Sequence, residues 1–144
     1  MFDFQKYVSE YLVKKGRAAA FLDTGLGKTV IELFIADCYR RHTNKPVLIL
    51  TPLAVAFQFI KEADKFNFDG VEYSKNGKHS KGIVIANYER LHYFDSNDFD
   101  CVILDESSIL KNFEGETKKH ITEFIKKVKY RYLFTATPSP NDYT

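Results

Sequence analysis

Two short segments of the chain carry residue types that can do chemistry. The first is Phe21-Leu22-Asp23-Thr24-Gly25-Leu26-Gly27-Lys28-Thr29, and the second is Cys101-Val102-Ile103-Leu104-Asp105-Glu106. In the first, Gly25 and Gly27 allow a tight loop whose backbone comes close to phosphate oxygens with no Cβ in the way. The successive N–H groups of such a loop form an anion-binding concavity, which puts Thr24, Gly25, Leu26, Gly27, Lys28 and Thr29 at the phosphates. Lys28 and Thr29 also open an apolar-rich helix, whose N-terminus adds unpaired N–H groups and a positive dipole end. The Lys28 ammonium is expected at the terminal phosphates and the Thr29 hydroxyl on Mg²⁺. In the second segment, Val102-Ile103-Leu104 has the composition of a buried parallel strand. Asp105 and Glu106 follow at its C-terminal end, the edge where ligands sit in open α/β sheets. Asp105 is expected to hold Mg²⁺ directly or through water, and Glu106 to orient and deprotonate an attacking water. The pair of segments predicts a bound nucleoside triphosphate.

Each segment has an ordinary alternative. A G-x-G-K-T run can be a surface turn before a helix, and the strict pattern G-x-x-x-x-G-K-[ST] asks for Gly where this chain has Leu22. The acidic doublet can be two solvated acids at a strand end. The strand before the loop, the helix after it and the joint presence of both segments weigh against these alternatives.

Alternating elements must position the two segments. Phe4–Lys14 has Phe4, Tyr7, Val8, Tyr11 and Leu12 on one helical face, and Gly16 ends it. The pattern continues with a strand at Ala18–Leu22, a helix at Lys28–His42, a turn at Asn44-Lys45-Pro46 and a strand at Val47–Leu50. Thr51 is expected to cap the next helix with Pro52 at its first position, where a missing N–H costs nothing. That helix runs to about Phe66. Val71–Tyr73 reads as a short strand, 74–82 as a polar loop, Ile83–Ala86 as a strand, Glu89–Tyr93 as a helical turn and Cys101–Leu104 as a strand. Thr117–Lys129 is predicted helical with Ile121, Phe124, Ile125 and Val128 inward, and Tyr130–Thr135 is the last strand. Strands alternating with helices argue for a mostly parallel sheet with helices on both faces.

Composition agrees with one α/β domain over 1–144. The chain is 44% hydrophobic, with thirteen Phe and nine Tyr, enough to build a core. A net charge of +2, from 21 basic and 19 acidic residues, argues neither for nor against nucleic acid. Lys111, Lys118, Lys119, Lys126, Lys127, Lys129 and Arg131 are diluted by Glu114, Glu116 and Glu123 and read as a solvated face. Cys38 and Cys101 have no C-x-x-C spacing and read as core residues of a reducing compartment. His42, His79, His92 and His120 show no metal-ligand spacing. No signal-peptide pattern and no bilayer-length apolar run occurs, so a cytoplasmic location is expected.

The ordered set of motifs resembles the first motor lobe of a superfamily-two helicase or translocase, closest to the Swi/Snf-like branch. Phe4-Gln5-Lys6-Tyr7 resembles its adenine-reading glutamine motif, and Asp23–Thr29 its phosphate loop, where the first glycine is often absent. Thr51-Pro52-Leu53, then Phe57-Gln58 and Glu62-Ala63-Asp64-Lys65-Phe66, resembles motif Ia and its helix. Ile85-Ala86-Asn87-Tyr88-Glu89-Arg90-Leu91 resembles the Ser/Asn-Tyr-Glu segment. Leu104-Asp105-Glu106-Ser107-Ser108, then Leu110-Lys111-Asn112, resembles motif II, and Leu133-Phe134-Thr135-Ala136-Thr137-Pro138 motif III. Similar runs occur in phage-encoded helicase-like proteins.

The resemblance implies a RecA-like P-loop NTPase lobe that binds ATP and Mg²⁺ and helps couple ATP hydrolysis to movement on DNA, expected to be double-stranded. Gln5 would read adenine, since its amide offers a donor and an acceptor. Thr51, Pro52, Asn87, Tyr88, Thr135 and Thr137 would contact nucleic acid or couple it to nucleotide state. Two departures stand out. Ser108 occupies the position where DExH members carry histidine. The family's motor also hydrolyses ATP between two lobes, the second bringing an arginine finger. Arg17, Arg40, Arg41, Arg90 and Arg131 do not match that finger, so the second lobe is expected elsewhere, on a longer protein or a separate chain. A non-catalytic P-loop-fold interaction module and a small P-loop kinase are the alternatives.

Overall fold

The computed structural model describes residues 19–21 and 28–135, with the backbone alone at 19–21 and 135. The expected helix at Phe4–Lys14, with Gln5 and Gly16, lies outside the described residues. So do Leu22, the loop residues Asp23, Thr24, Gly25, Leu26 and Gly27, and Ala136, Thr137 and Pro138.

Six strands form one sheet: β1 (Ala19–Phe21), β2 (Val47–Thr51), β3 (Val71–Tyr73), β4 (Ile83–Asn87), β5 (Cys101–Leu104) and β6 (Tyr130–Thr135). Their order is β1-β6-β5-β2-β4-β3, and every neighbouring pair is parallel. Parallel neighbours require crossovers, and three helices contribute to them: α1 (Lys28–Thr43), α2 (Leu53–Lys65) and α3 (Gly115–Lys127). The connection from β2 leaves toward β3 at one edge, whereas that from β5 leaves toward β6 on the other side. Strands β2 and β5 therefore flank a point where the chain's direction across the sheet reverses, the place where such sheets bind ligands.

Strands β2, β4 and β5 are buried on both faces, and the side chains of β2, β4, β5 and β6 alternate between two cores. Val47, Ile49, Ile83, Ile85, Cys101, Ile103, Tyr132 and Phe134 face α1 and α2, which contribute Ile31, Leu33, Ile35, Tyr39, Ala56 and Phe59. Leu48, Leu50, Val84, Ala86, Val102 and Leu104 face the other way, onto Tyr88, Leu91, Phe94, Phe99, Ile121, Phe124 and Val128. This period of two, set on near-continuous apolar runs, is why the strand composition was readable.

Helix α1 ends where Asn44 takes a left-handed conformation (φ 58°) and its N–H bonds the Arg40 carbonyl, a common helix stop. Arg40, Arg41 and His42 in the last turn complement the negative dipole end. The expected cap of α2 is corrected. The helix begins at Leu53, Pro52 occupies the cap position with no side-chain capping bond, and Thr51 is the last residue of β2. Strand hydrogen bonding through Thr51, in register with Asn87 of β4, holds it in the sheet. Two further short turns, Ser96–Asp98 and Ser107–Asn112, are 3₁₀ helices that the sequence pattern did not indicate.

The crossing of residues 70 and 82 locks β3 beside β4. The Gly70 carbonyl accepts from Ile83 N–H at 2.8 Å, and a Cβ on Gly82 would lie 2.0 Å from that carbonyl oxygen. Gly82→Ala is therefore expected to lower folding stability by about 1–3 kcal/mol, since backbone must move to admit the methyl. Urea denaturation measures this, and an unchanged midpoint would contradict the tight crossing.

Candidate functional site

Strand alternation determines where the acidic doublet points. Cys101 and Ile103 face α1, and Asp105, two residues on, continues that side. Lys28, the first residue of α1, meets it there, with Nζ 3.1 Å from Asp105 Oδ1. The sequence-predicted pair is thus assembled at the C-terminal edge of the sheet.

Asp105 is held at every polar atom. Its N–H donates to the Leu50 carbonyl at 2.7 Å, and its carbonyl accepts from the Tyr88 hydroxyl at 2.7 Å. Oδ2 accepts from the Thr51 hydroxyl at 2.7 Å, and Oδ1 faces Lys28. The residue is 2% exposed, so these contacts replace the water a carboxylate would otherwise need.

Glu106 reaches the same ammonium by a different route. Alternation would turn it to the opposite face. It instead adopts a left-handed conformation (φ 54°, ψ 51°), and its Oε1 accepts from Lys28 Nζ at 2.5 Å. Non-glycine residues seldom take this conformation, which costs about 1–3 kcal/mol and clusters at functional sites. Burial by itself lowers the Lys28 pKa, but the hydrogen bond to Glu106 and the charges of Asp105 and Glu32 outweigh it and raise it above its ordinary value. The ammonium is therefore a firm positive charge.

The sequence reading missed Glu32. It lies one helical turn beyond Lys28 and on the same face of α1. It is 0% exposed, and neither carboxyl oxygen has a hydrogen-bond partner. Burial, then the nearby Asp105 carboxylate, pushes its pKa well above the usual carboxylate range. The signal in the sequence was an acid inside the apolar run Val30-Ile31-Glu32-Leu33, four residues after the lysine.

Other expected site residues fall as follows. Thr29 is half-buried at the second position of α1. Asn87, 5% exposed, accepts from the Tyr73 hydroxyl at 2.8 Å and donates to Glu89 at 3.2 Å. Pro52 is half-buried at the start of α2, and Thr135 ends β6 opposite Phe21. Tyr88, expected to contact nucleic acid or couple it to nucleotide state, turns inward. Its side chain is 1% exposed, its ring lies against Phe113, and its hydroxyl is committed to Asp105. Burial pushes that hydroxyl's pKa well up, and the Asp105 charge pushes it further, so it stays a donor. Thr51, likewise fully buried, donates its hydroxyl to Asp105.

These donors fit a magnesium-bound polyphosphate. Glu32, Asp105 and Glu106 are three acids against one ammonium, and Mg²⁺ prefers such oxygen donors. Among the described residues no group of three or more His, Cys, Asp or Glu can hold a metal ion by itself.

The raised Glu32 carboxyl has a consequence for stability. The folded chain keeps that proton to higher pH than the unfolded chain does, so stability falls as pH rises above the ordinary value of 4.5. Without nucleotide or metal, Glu32→Gln is expected to be more stable than the wild type at pH 8 by about 1 kcal/mol or more, with the gap closing toward pH 5. Parallel stability curves from denaturant titrations at several pH values would contradict this.

Comparison with known proteins places the chain. Residues 1–140 match the family described as type III restriction enzyme, res subunit. An uncharacterized ATP-dependent helicase, YqhH of Bacillus subtilis, is 31% identical over 95% of this chain and 26% of its own length. A SWI/SNF-related matrix-associated actin-dependent regulator of chromatin subfamily A-like protein 1 of Xenopus laevis is 29% identical over 88% of this chain and 14% of its own length. The chain thus spans about a quarter or less of the curated relatives it matches. Among solved structures, the Sulfolobus solfataricus SWI2/SNF2 ATPase core in complex with dsDNA superposes with a TM-score of 0.73 at 20% identity, over 98% of this chain and 33% of that one. That likeness agrees with the RecA-like lobe expected from the motifs. With nearly its full length matched, the chain belongs to the family of the type III restriction enzyme res subunit.

Proposed function

We propose that this chain is the ATP-binding lobe of a DNA-dependent ATPase of the helicase or translocase type. The observation that carries the reading is the cluster of Lys28, Asp105 and Glu106 at the C-terminal edge of a parallel sheet, at the start of α1. The family to which the chain belongs and the ATP-dependent helicase among its relatives support it.

The roles follow from the chemistry. The N–H groups of Thr24, Gly25, Leu26 and Gly27 cradle phosphates, and Gln5 reads adenine. Lys28 leaves its two acids and pairs with the terminal phosphates. That exchange releases Glu106 to orient and deprotonate the attacking water. Thr29 and Asp105 would hold Mg²⁺, which neutralises phosphate charge when bound. Thr51, Tyr88 and the Leu50 carbonyl keep Asp105 in place. Thr51, Pro52, Asn87, Thr135 and Thr137 are assigned to the nucleic-acid side and its coupling, with Thr51 acting through Asp105. Double-stranded DNA is the proposed track, in keeping with the dsDNA in the complex of the structural relative. A second lobe supplies the arginine that completes hydrolysis.

A partner-docking role is the second reading, favoured by one observation. Leu53 and Phe57, one turn apart on α2, are 53% and 55% exposed, and the Phe57 ring packs on Tyr73 at the sheet edge. Sedimentation at rising concentration tests for self-association through this patch.

Two measurements test the leading reading. Calorimetry is expected to show Mg²⁺-dependent binding of ATP or ADP that Lys28→Ala weakens by about 10–100-fold or more, the worth of a lost charge-assisted hydrogen bond plus two uncompensated acids. No binding by the folded wild type, or equal binding by the variant, would end the assignment. In an ATPase assay the chain alone is expected to turn over slowly with little stimulation by DNA, because the proposed arginine comes from another lobe. Brisk DNA-stimulated turnover would contradict that.

A further inference from the structure

Glu32 is the acid that the roles above do not use. It is completely buried in α1, both of its oxygens lack partners, and it shares a helix face with Lys28. A carboxyl in that position costs folding free energy, and a leucine or alanine would fill helix volume without that cost. Its neighbours are the two ends of the site's ion pair. Asp105 and Glu106 already share the single ammonium. Once polyphosphate draws Lys28 away, as the proposed function requires, Asp105, Glu106 and the Glu32 carboxyl face added negative charge, with no other cation paired to them among the described residues. Glu32 and Asp105 are buried, so water screens that charge poorly.

We propose that Glu32 is a positioning residue for the divalent cation of this site, acting through the ion's bound waters and alongside Asp105. The inference rests on the nucleotide-site reading and extends it. Glu32 is not itself a direct ligand. Fully buried behind Asp105, its carboxyl accepts hydrogen bonds from metal-bound water and sets the orientation of the donors that touch the ion. Such outer partners are worth as much as a tenfold to hundredfold change in metal affinity. The orphaned oxygens of Glu32 then gain the donors they lack. The carboxylate therefore couples ion binding to the bottom of the phosphate helix.

The test is a magnesium titration of fluorescent ADP-analogue binding to the full chain, as wild type, Glu32→Gln, Glu32→Asp and Lys28→Ala. Glu32→Gln is expected to raise the half-saturating Mg²⁺ about tenfold or more while changing nucleotide affinity in EDTA by no more than about twofold. A merely structural role would move both affinities together or neither. Glu32→Asp keeps the acid but withdraws it by one methylene, and it is expected to raise the midpoint in the same direction by less. If Glu32→Gln does not fold, Glu32→Asp decides. A wild-type magnesium midpoint in the folded variant overturns the proposal. Absence of Mg²⁺-dependent binding in the wild type overturns the nucleotide-site reading, and this inference with it. Normal wild-type binding lost only in Lys28→Ala leaves that reading standing and removes Glu32 alone.

Discussion

The arrangement depends on holding one carboxylate in a dry place. Asp105 is nearly inaccessible to water, and its backbone and side chain are gripped from β2, from the turn after β4 and from α1. An isolated buried charge of that kind is prohibitive, and a paired and hydrogen-bonded one is tolerable. Each grip comes from a different segment. Thr51 and Leu50 reach it because β2 lies beside β5. Tyr88 reaches it because β4 lies on the far side of β2. Lys28 reaches it because α1 begins at the same edge. The order of strands is therefore what brings these grips together on one acid.

The same edge stores imbalance. Glu106 is held in a left-handed conformation by its bond to Lys28, and Glu32 is buried without a partner. Both features work against folding, and both sit beside the lysine that a phosphate ligand would claim. A site built this way is satisfied only in part by the protein's own groups. An anion bringing its own cation would relieve it, since the lysine gains a partner and the acids regain a counter-ion.

Thr51 and Tyr88 change meaning when seen in three dimensions. From their motifs they are expected to contact nucleic acid or to couple it to nucleotide state. Both spend their hydroxyls on Asp105. Asn87, beside Thr51 in register, is tied to Tyr73 and Glu89. Residues at the end of β2 and in the turn after β4 thus hydrogen-bond to the acid that follows β5. A shift of β2 or β4 at this edge would be felt directly at Asp105.

The strands were legible in the sequence because buried parallel strands are short apolar runs bounded by turn residues. Val71–Tyr73, Cys101–Leu104 and Tyr130–Thr135 have the same bounds in the sequence reading and in the structure. The pairing of Lys28 with Asp105 was legible too, since a lysine at a helix start and an acid at a strand end both belong to one sheet edge in this architecture. The start of α2 was not, because Thr51 has cap chemistry locally but pairing with Asn87 of β4 holds it in the sheet. Glu106 could not be read because a residue's φ depends on the contact that rewards it. Glu32 showed in the sequence only as an acid inside an apolar run, because its environment exists only once α1 crosses the sheet and brings its inner face under β5. Local composition determined which elements form and which residues end them. Long-range packing alone decided which side chains meet, because burial and charge pairing are properties of neighbours far apart along the chain.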